Sequence, residues 1–246
     1  MKGKREQIYQ LLLGILLVCA LPVMALLGYW ACRYSYYGTV DYSIRNILVK
    51  DTAWKHILVF LLAVAVVWGL DRMLARTKRV QQEKICLGVL ILTVVAAFIL
   101  GILYILKNPY FPEGDQIGVA AFAAYAREGN YVMLGPGGYV GMYQQQKGLG
   151  ALYEILFTFF GNFNYTSAKI AHVIWWLFAI LAGYGFLKLN TDRAVFRILY
   201  CAMLLGCMPF LLYLPYIYGD ILSVSFCVLL FWAVSAYEHY EQKRDL

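Results

Sequence analysis

Asp115 and Asp220 are the residues whose type and setting most readily suggest chemistry. Asp115 follows Glu113 and Gly114 and opens residues 115–127, where Ile117, Ala121, Ala124 and Tyr125 recur at helical spacing on one face. A carboxylate at a helix start caps free N–H groups and is favoured by the helix dipole; beside a membrane it can also serve as a general base or bind a cation. Asp220 ends the run Tyr-Ile-Tyr-Gly-Asp at the mouth of the last apolar stretch. An ionisable group at a membrane span is costly and marks function by default. The plain alternative for each aspartate is a helix cap. Two such caps, each preceded by glycine and both expected on one face of a membrane, are harder to dismiss together.

Around Asp115 lies the longest polar interruption in the chain, residues 108–148. It supplies Gln116, Tyr139, Tyr143, Gln144, Gln145 and Lys147, and Tyr218 stands beside Asp220. Tyrosine faces and glutamine amides suit a sugar or phosphosugar head group, and suit a wet interfacial loop equally well. Gly129-Asn130 should end the helix that Asp115 starts, and Leu134–Tyr139, Leu-Gly-Pro-Gly-Gly-Tyr, should turn. Glu154 in an apolar stretch reads as a residue facing water, and His172 as hydrogen-bonded structure. Asn164-Tyr165-Thr166 matches a glycosylation acceptor, a triplet frequent by chance. No zinc-ligand spacing, nucleophile triad or phosphate-cradling GxxxxGK[ST] occurs. The six cysteines include no CxxC and read as small buried hydrophobes, Cys32 alone being placed to reach the outer face.

What must position these residues is a membrane scaffold. The chain has 246 residues, is 62% hydrophobic and only 14% charged, and has a mean hydropathy of +0.65. Soluble domains are about 45–50% apolar and about 25% charged, so this is an integral membrane protein. The formal charge of +7 sits between apolar runs, which the positive-inside bias explains without nucleic acid. The expected fold is all-α: a polytopic bundle of about six spans at residues 8–31, 56–70, 85–106, 168–187, 195–213 and 219–237. Residues 150–160, too short to cross comfortably, form a re-entrant or interfacial helix. The first apolar run reads as an uncleaved anchor. With both termini inside, the basic runs 72–84 and 188–197 are cytoplasmic. Both aspartates then fall outside, together with Arg33, Arg45, Lys50 and Lys55. Two parts are expected: an N-terminal hairpin with its basic loop, residues 1–84, and a core, residues 85–246.

The order of an apolar span, Glu-Gly-Asp at 113–115, a surface helix, Gly-Asn-Tyr, Pro-Gly-Gly-Tyr and Gln-Gln-Gln-Lys-Gly resembles the first external loop of the C-type (GT-C fold) membrane glycosyltransferases. The nearest branch is the protein O-mannosyltransferase and aminoarabinose-transferase type. The resemblance covers about residues 85–237. It implies that Asp115 is the catalytic base, that Tyr218 and Asp220 match the second acidic loop two spans later, and that the donor is a sugar on a polyprenyl phosphate. It implies substrate contacts from Glu113, Gln116, Tyr139, Gln144, Gln145, Lys147, Tyr218 and Asp220. The donor phosphate would be oriented through Lys147, or through a divalent metal ion at Asp115 and Asp220. It also implies a bacterial plasma-membrane protein. Two departures stand out: residues 8–70 precede the family's usual first span, and the family has about twice as many spans. The core is therefore expected to be incomplete, with a further half or a partner subunit elsewhere. Two other classes fit the composition, a transporter or flippase-like component and a non-catalytic assembly protein. The first calls for charges deep within several spans, and here the acidic residues cluster at span ends.

Overall fold

The computed structural model describes residues 2–37, 47–50, 52–108 and 110–244. Arg45 lies outside the described residues, as does the side chain of Cys32. The chain divides into two compact units, Met1–Gly69 and Leu70–Leu246.

The first unit holds helix α1 (Lys2–Arg33), strands β1 (Tyr34–Tyr37) and β2 (Ile47–Lys50), and the start of helix α2 (Ala53–Ala75). The strands form an antiparallel ladder with Tyr34 opposite Lys50 and Tyr37 opposite Ile47. No residue of α2 within this unit is buried. An apolar helix exposed all round is suited to hydrocarbon rather than water. The expected span at 56–70 is longer than its apolar run suggests. The helix continues through Asp71 and Arg72 to Ala75, and its 23 residues cover about 34 Å at 1.5 Å each.

The second unit is a helical bundle around α7 (Tyr165–Asn190), which packs against α3 (Arg79–Lys107), α6 (Lys147–Phe160), α8 (Ala194–Gly206) and α10 (Asp220–Arg244). Its side chains at Trp176, Ala179, Ile180, Ala182 and Gly183 are buried. Small residues let helices approach closely where lipid offers no hydrophobic drive. At Gly185 a Cβ would fall 2.6 Å from the indole nitrogen of Trp232 on α10, so this indole lies directly on the glycine of α7.

α3 and α7 run antiparallel, because both of their ends are tied. At one end Lys169 Nζ reaches the Tyr110 carbonyl; at the other, Arg79 pairs with Asp192 at 2.7 Å. That second end is fastened further by Arg197, which grips both oxygens of Glu83 at 2.7 and 2.8 Å, and by Arg193–Asp71 at 3.4 Å. The basic runs 72–84 and 188–197 therefore share one end of the bundle, as expected for two segments on the same side of a membrane.

Among the described residues four helices are long and apolar enough to cross a membrane: Ala53–Ala75, Arg79–Lys107, Tyr165–Asn190 and the Asp220–Glu241 part of α10. The expected span at 8–31 lies within α1, a single helix of 32 residues. α8 is shorter than a span, covering Ala194–Gly206. The expected single span at 195–213 is broken at Cys207, and a short helix α9 (Met208–Tyr213) follows. Pro209 explains the break, since it lacks an N–H donor and its ring crowds the carbonyl four residues back.

Between α3 and α7, all at one end of the bundle, lie α4 (Asp115–Arg127), α5 (Tyr139–Met142) and α6. α6 has 14 residues, about 21 Å, which is short of a bilayer core of about 30 Å. α4 begins and ends where the sequence predicts, but the expected stripe of Ile117, Ala121, Ala124 and Tyr125 is only partly buried. Gln116, Val119, Ala120, Phe122, Ala123, Ala124 and Ala126 are buried, while Ile117 and Tyr125 are exposed. The alanines are thin enough for α6 to lie against, and Phe122 is admitted by Gly150 of α6, where a Cβ would meet its ring.

Candidate functional site

The site forms where the loop after α3, the start of α4 and the segment 213–220 meet. Asn108 ends α3 and accepts the backbone N–H of Tyr110 at 2.9 Å. Tyr110 then stacks on Tyr216 with ring centroids 4.6 Å apart. From beneath, the buried Lys169 donates to the Tyr110 carbonyl at 2.5 Å. The chain turns at Gly114, whose φ of 56° favours glycine, and α4 starts at Asp115.

Gln116 fastens the two acidic segments together. Its Nε2 donates to the Tyr110 hydroxyl at 2.7 Å, and its Oε1 accepts the Ile217 N–H at 3.0 Å across 101 positions of sequence. Each lone polar group so satisfied would otherwise be buried unpaired. Asp115 and Asp220, each at the start of a helix, are thereby held at the same junction.

Beyond α4 the chain is brought back over it. α4 ends in a Schellman motif: Asn130 N–H donates to the Tyr125 carbonyl and Gly129 N–H to that of Ala126, both at 2.9 Å, with Gly129 at φ 75°. Gly135–Gly138 then turns, closed by a 3.0 Å hydrogen bond, with Pro136 second and Gly137 at φ 81° third. Both features stand where the sequence places them. The turn delivers Tyr139 onto Gly118, where any Cβ would lie 2.6–2.9 Å from the ring. The Tyr139 hydroxyl is buried without a partner in hydrogen-bond geometry. Burial, then the nearby Tyr218 hydroxyl and Asp115 carboxylate, push its pKa well above the ordinary tyrosine value. Tyr216 is also raised, by burial and then by Tyr110 and Glu113.

Two cavities meet at Tyr218 and Asp220. The smaller, about 320 Å³ and open, is lined by Glu113, Asp115, Gln116, Tyr213, Tyr216, Tyr218 and Asp220. The larger, about 550 Å³, has Gln145, Gln146, Tyr218, Asp220 and Ser223 as its polar wall and Leu152, Trp175 and Phe226 among its apolar one. The first is a carboxylate and phenol pocket; the second is an amide and hydroxyl pocket with an aromatic floor, and it shares the Asp220 carboxylate with the first.

Of the residues expected from the sequence, Glu113, Asp115, Gln116, Gln145, Tyr218 and Asp220 are brought together. Tyr139 sits behind Asp115. Gln144 and Lys147 are exposed and line neither cavity, although Gln146 and Gly148 on either side of Lys147 line the larger one. Among the described residues no group of three or more His, Cys, Asp or Glu could hold a metal ion. Sequence reasoning missed Tyr213, Tyr216, Trp175 and Ser223. Ser223 was legible in principle, lying one helical turn after Asp220; the aromatic residues had no signal separating them from other interfacial rings. His172 is fully buried and bonded to the Tyr153 hydroxyl at 3.0 Å, the structural role expected of it. Asn164 caps α7 by accepting the Ser167 N–H at 3.1 Å.

Compared with known proteins, the chain matches no family model, no curated protein and no solved structure.

Proposed function

We propose that this chain is a membrane glycosyltransferase, or a part of one, that moves a sugar from a polyprenyl-phosphate donor to an acceptor hydroxyl at the outer membrane face. The observation carrying this reading is that Asp115 and Asp220, far apart in sequence, line one cavity. Asp115 takes the proton of the acceptor hydroxyl. The acceptor oxygen attacks the anomeric carbon, the bond from that carbon to the phosphate oxygen breaks, and its electron pair leaves with the polyprenyl phosphate. Electrostatics divides the two cavities. Glu113 and Asp115 repel a phosphate from the smaller cavity, so it belongs in the larger one with Gln145 and Ser223, where neither of those two carboxylates reaches. The acceptor belongs beside Asp115. Asp220, on the wall shared by both, orients the sugar between them.

Six crossings are part of this proposal, α1 and the α8–α9 pair completing the four long helices, with both termini inside a bacterial plasma membrane. The deciding experiment is turnover of a polyprenyl-phosphate sugar by purified protein, supplemented with any separately encoded second half. Asp115→Asn should lower the rate by about 10²–10⁴-fold, the usual worth of a general base. Equal turnover by the variant would remove the assignment.

A further inference from the structure

The end of the bundle opposite the two cavities carries a charge the proposed reaction does not use. Residues 71–84 and 188–197 hold eight basic and three acidic side chains, an excess of five positive charges. The three acids are all committed: Glu83 to Arg197, Asp71 to Arg193 and Asp192 to Arg79. Arg76, Lys78, Lys84 and Lys188 are exposed and in no ion pair among the described residues. The same pairs draw the two runs together, so this excess forms one surface rather than two.

The backbone adds to it. Lys78 caps α3 and Arg193 caps α8, neither with a side-chain hydrogen bond, and neither first turn contains an acid. The positive ends of both helix dipoles therefore reinforce the side-chain charge. Just inside this surface, Val80, Ile85, Leu87 and Phe196 are exposed and apolar. Cations bordering exposed apolar residues of candidate spans stand at the depth of lipid head groups, where they are drawn to an anionic leaflet.

We infer that this surface binds the phosphate head groups of anionic phospholipids, with Arg76, Lys78, Lys84 and Lys188 as the contacting cations. The ion pairs of Asp71, Glu83 and Asp192 assemble the surface and do not themselves contact lipid. The test is native mass spectrometry of the full chain in neutral detergent, titrated with phosphatidylglycerol or phosphatidylcholine. The wild type should retain phosphatidylglycerol about tenfold more strongly, and the preference should fall as salt is raised. Changing all four cations to glutamine should abolish it, whereas Lys107→Gln with Arg127→Gln, at the far end, should leave it intact. If the fourfold variant does not fold, the salt series on the wild type still decides. No preference in the wild type, a preference insensitive to salt, or one kept by the folded fourfold variant overturns the inference. So does its displacement by inorganic phosphate alone, which would assign the surface to a small anion.

Discussion

Asp115 and Asp220 illustrate how little a residue's type says until its neighbours are known. Each could be a helix cap, and each does begin a helix. What distinguishes them is a shared cavity and the phenols around it. Gly118 is the least conspicuous residue that this depends on. Gly118→Ala would drive a methyl group into the Tyr139 ring, and overpacking of this kind costs about 1–3 kcal/mol. We expect the variant to stay folded, with a lowered melting temperature and a weakened site, because Tyr139 can be pushed off α4 without unfolding the bundle. Gly118→Ala combined with Tyr139→Ala should recover the stability lost by the single change. A double-mutant cycle followed by thermal unfolding in detergent checks this; additive effects would show that the two do not touch.

Among elements, α4 and the segment before α10 are joined by apolar packing of Ile217 in the cluster with Val119 and Ala120 and by the side-chain amide of Gln116. Gln116→Ala leaves the Ile217 N–H and the Tyr110 hydroxyl without their partner, at about 1–3 kcal/mol for the unsatisfied buried groups. The expected outcome is faster hydrogen exchange at Ile217 and its neighbours, with exchange in the middle of α7 unchanged. Exchange at Ile217 as slow as in the wild type would mean another group holds the segment. At the opposite end, Glu83→Ala strands the buried Arg197 guanidinium, whose side chain is 3% exposed against 38% for Glu83. Breaking a buried pair costs about 3–5 kcal/mol, and the partial exposure of Glu83 places this one near the lower figure. Arg197→Met with Glu83→Met should recover much of the loss, because an apolar pair fills the space without a stranded charge. The measure is the midpoint of thermal unfolding.

For the whole molecule, the prediction is of sidedness. The proposed topology puts two crossings, α7 and the α8–α9 pair, between Asp115 and Asp220, and keeps α6 at the end where α4 lies. After replacement of the native cysteines, a cysteine at Tyr131 and one at Tyr218 should react with a membrane-impermeant thiol reagent from the same side of sealed vesicles. A cysteine at Lys78 should react only from the other. Labelling of Tyr131 and Tyr218 from opposite sides would mean that α6 crosses after all, or that the α8–α9 pair does not, and that the two aspartates cannot share a site in the membrane.

The sequence alone determined those features that are local or compositional. Hydropathy marks out the membrane helices, because twenty apolar residues in a row have no other stable home. Gly129-Asn130 and Gly135–Gly138 fix the end of α4 and the following turn, because only glycine takes positive φ without strain. Tertiary structure decided what depends on neighbours distant in the chain. It left Ile117 and Tyr125 of α4 exposed and buried Val119, Phe122 and the alanines, since helix spacing shows that a face exists but only the approach of α6 selects which one is covered. It broke the expected span at Pro209, left Lys147 outside the cavities and joined Gln116 to Ile217. Contacts of that range leave no periodic trace in a sequence. They exist only once the helices on which the residues ride have been packed side by side.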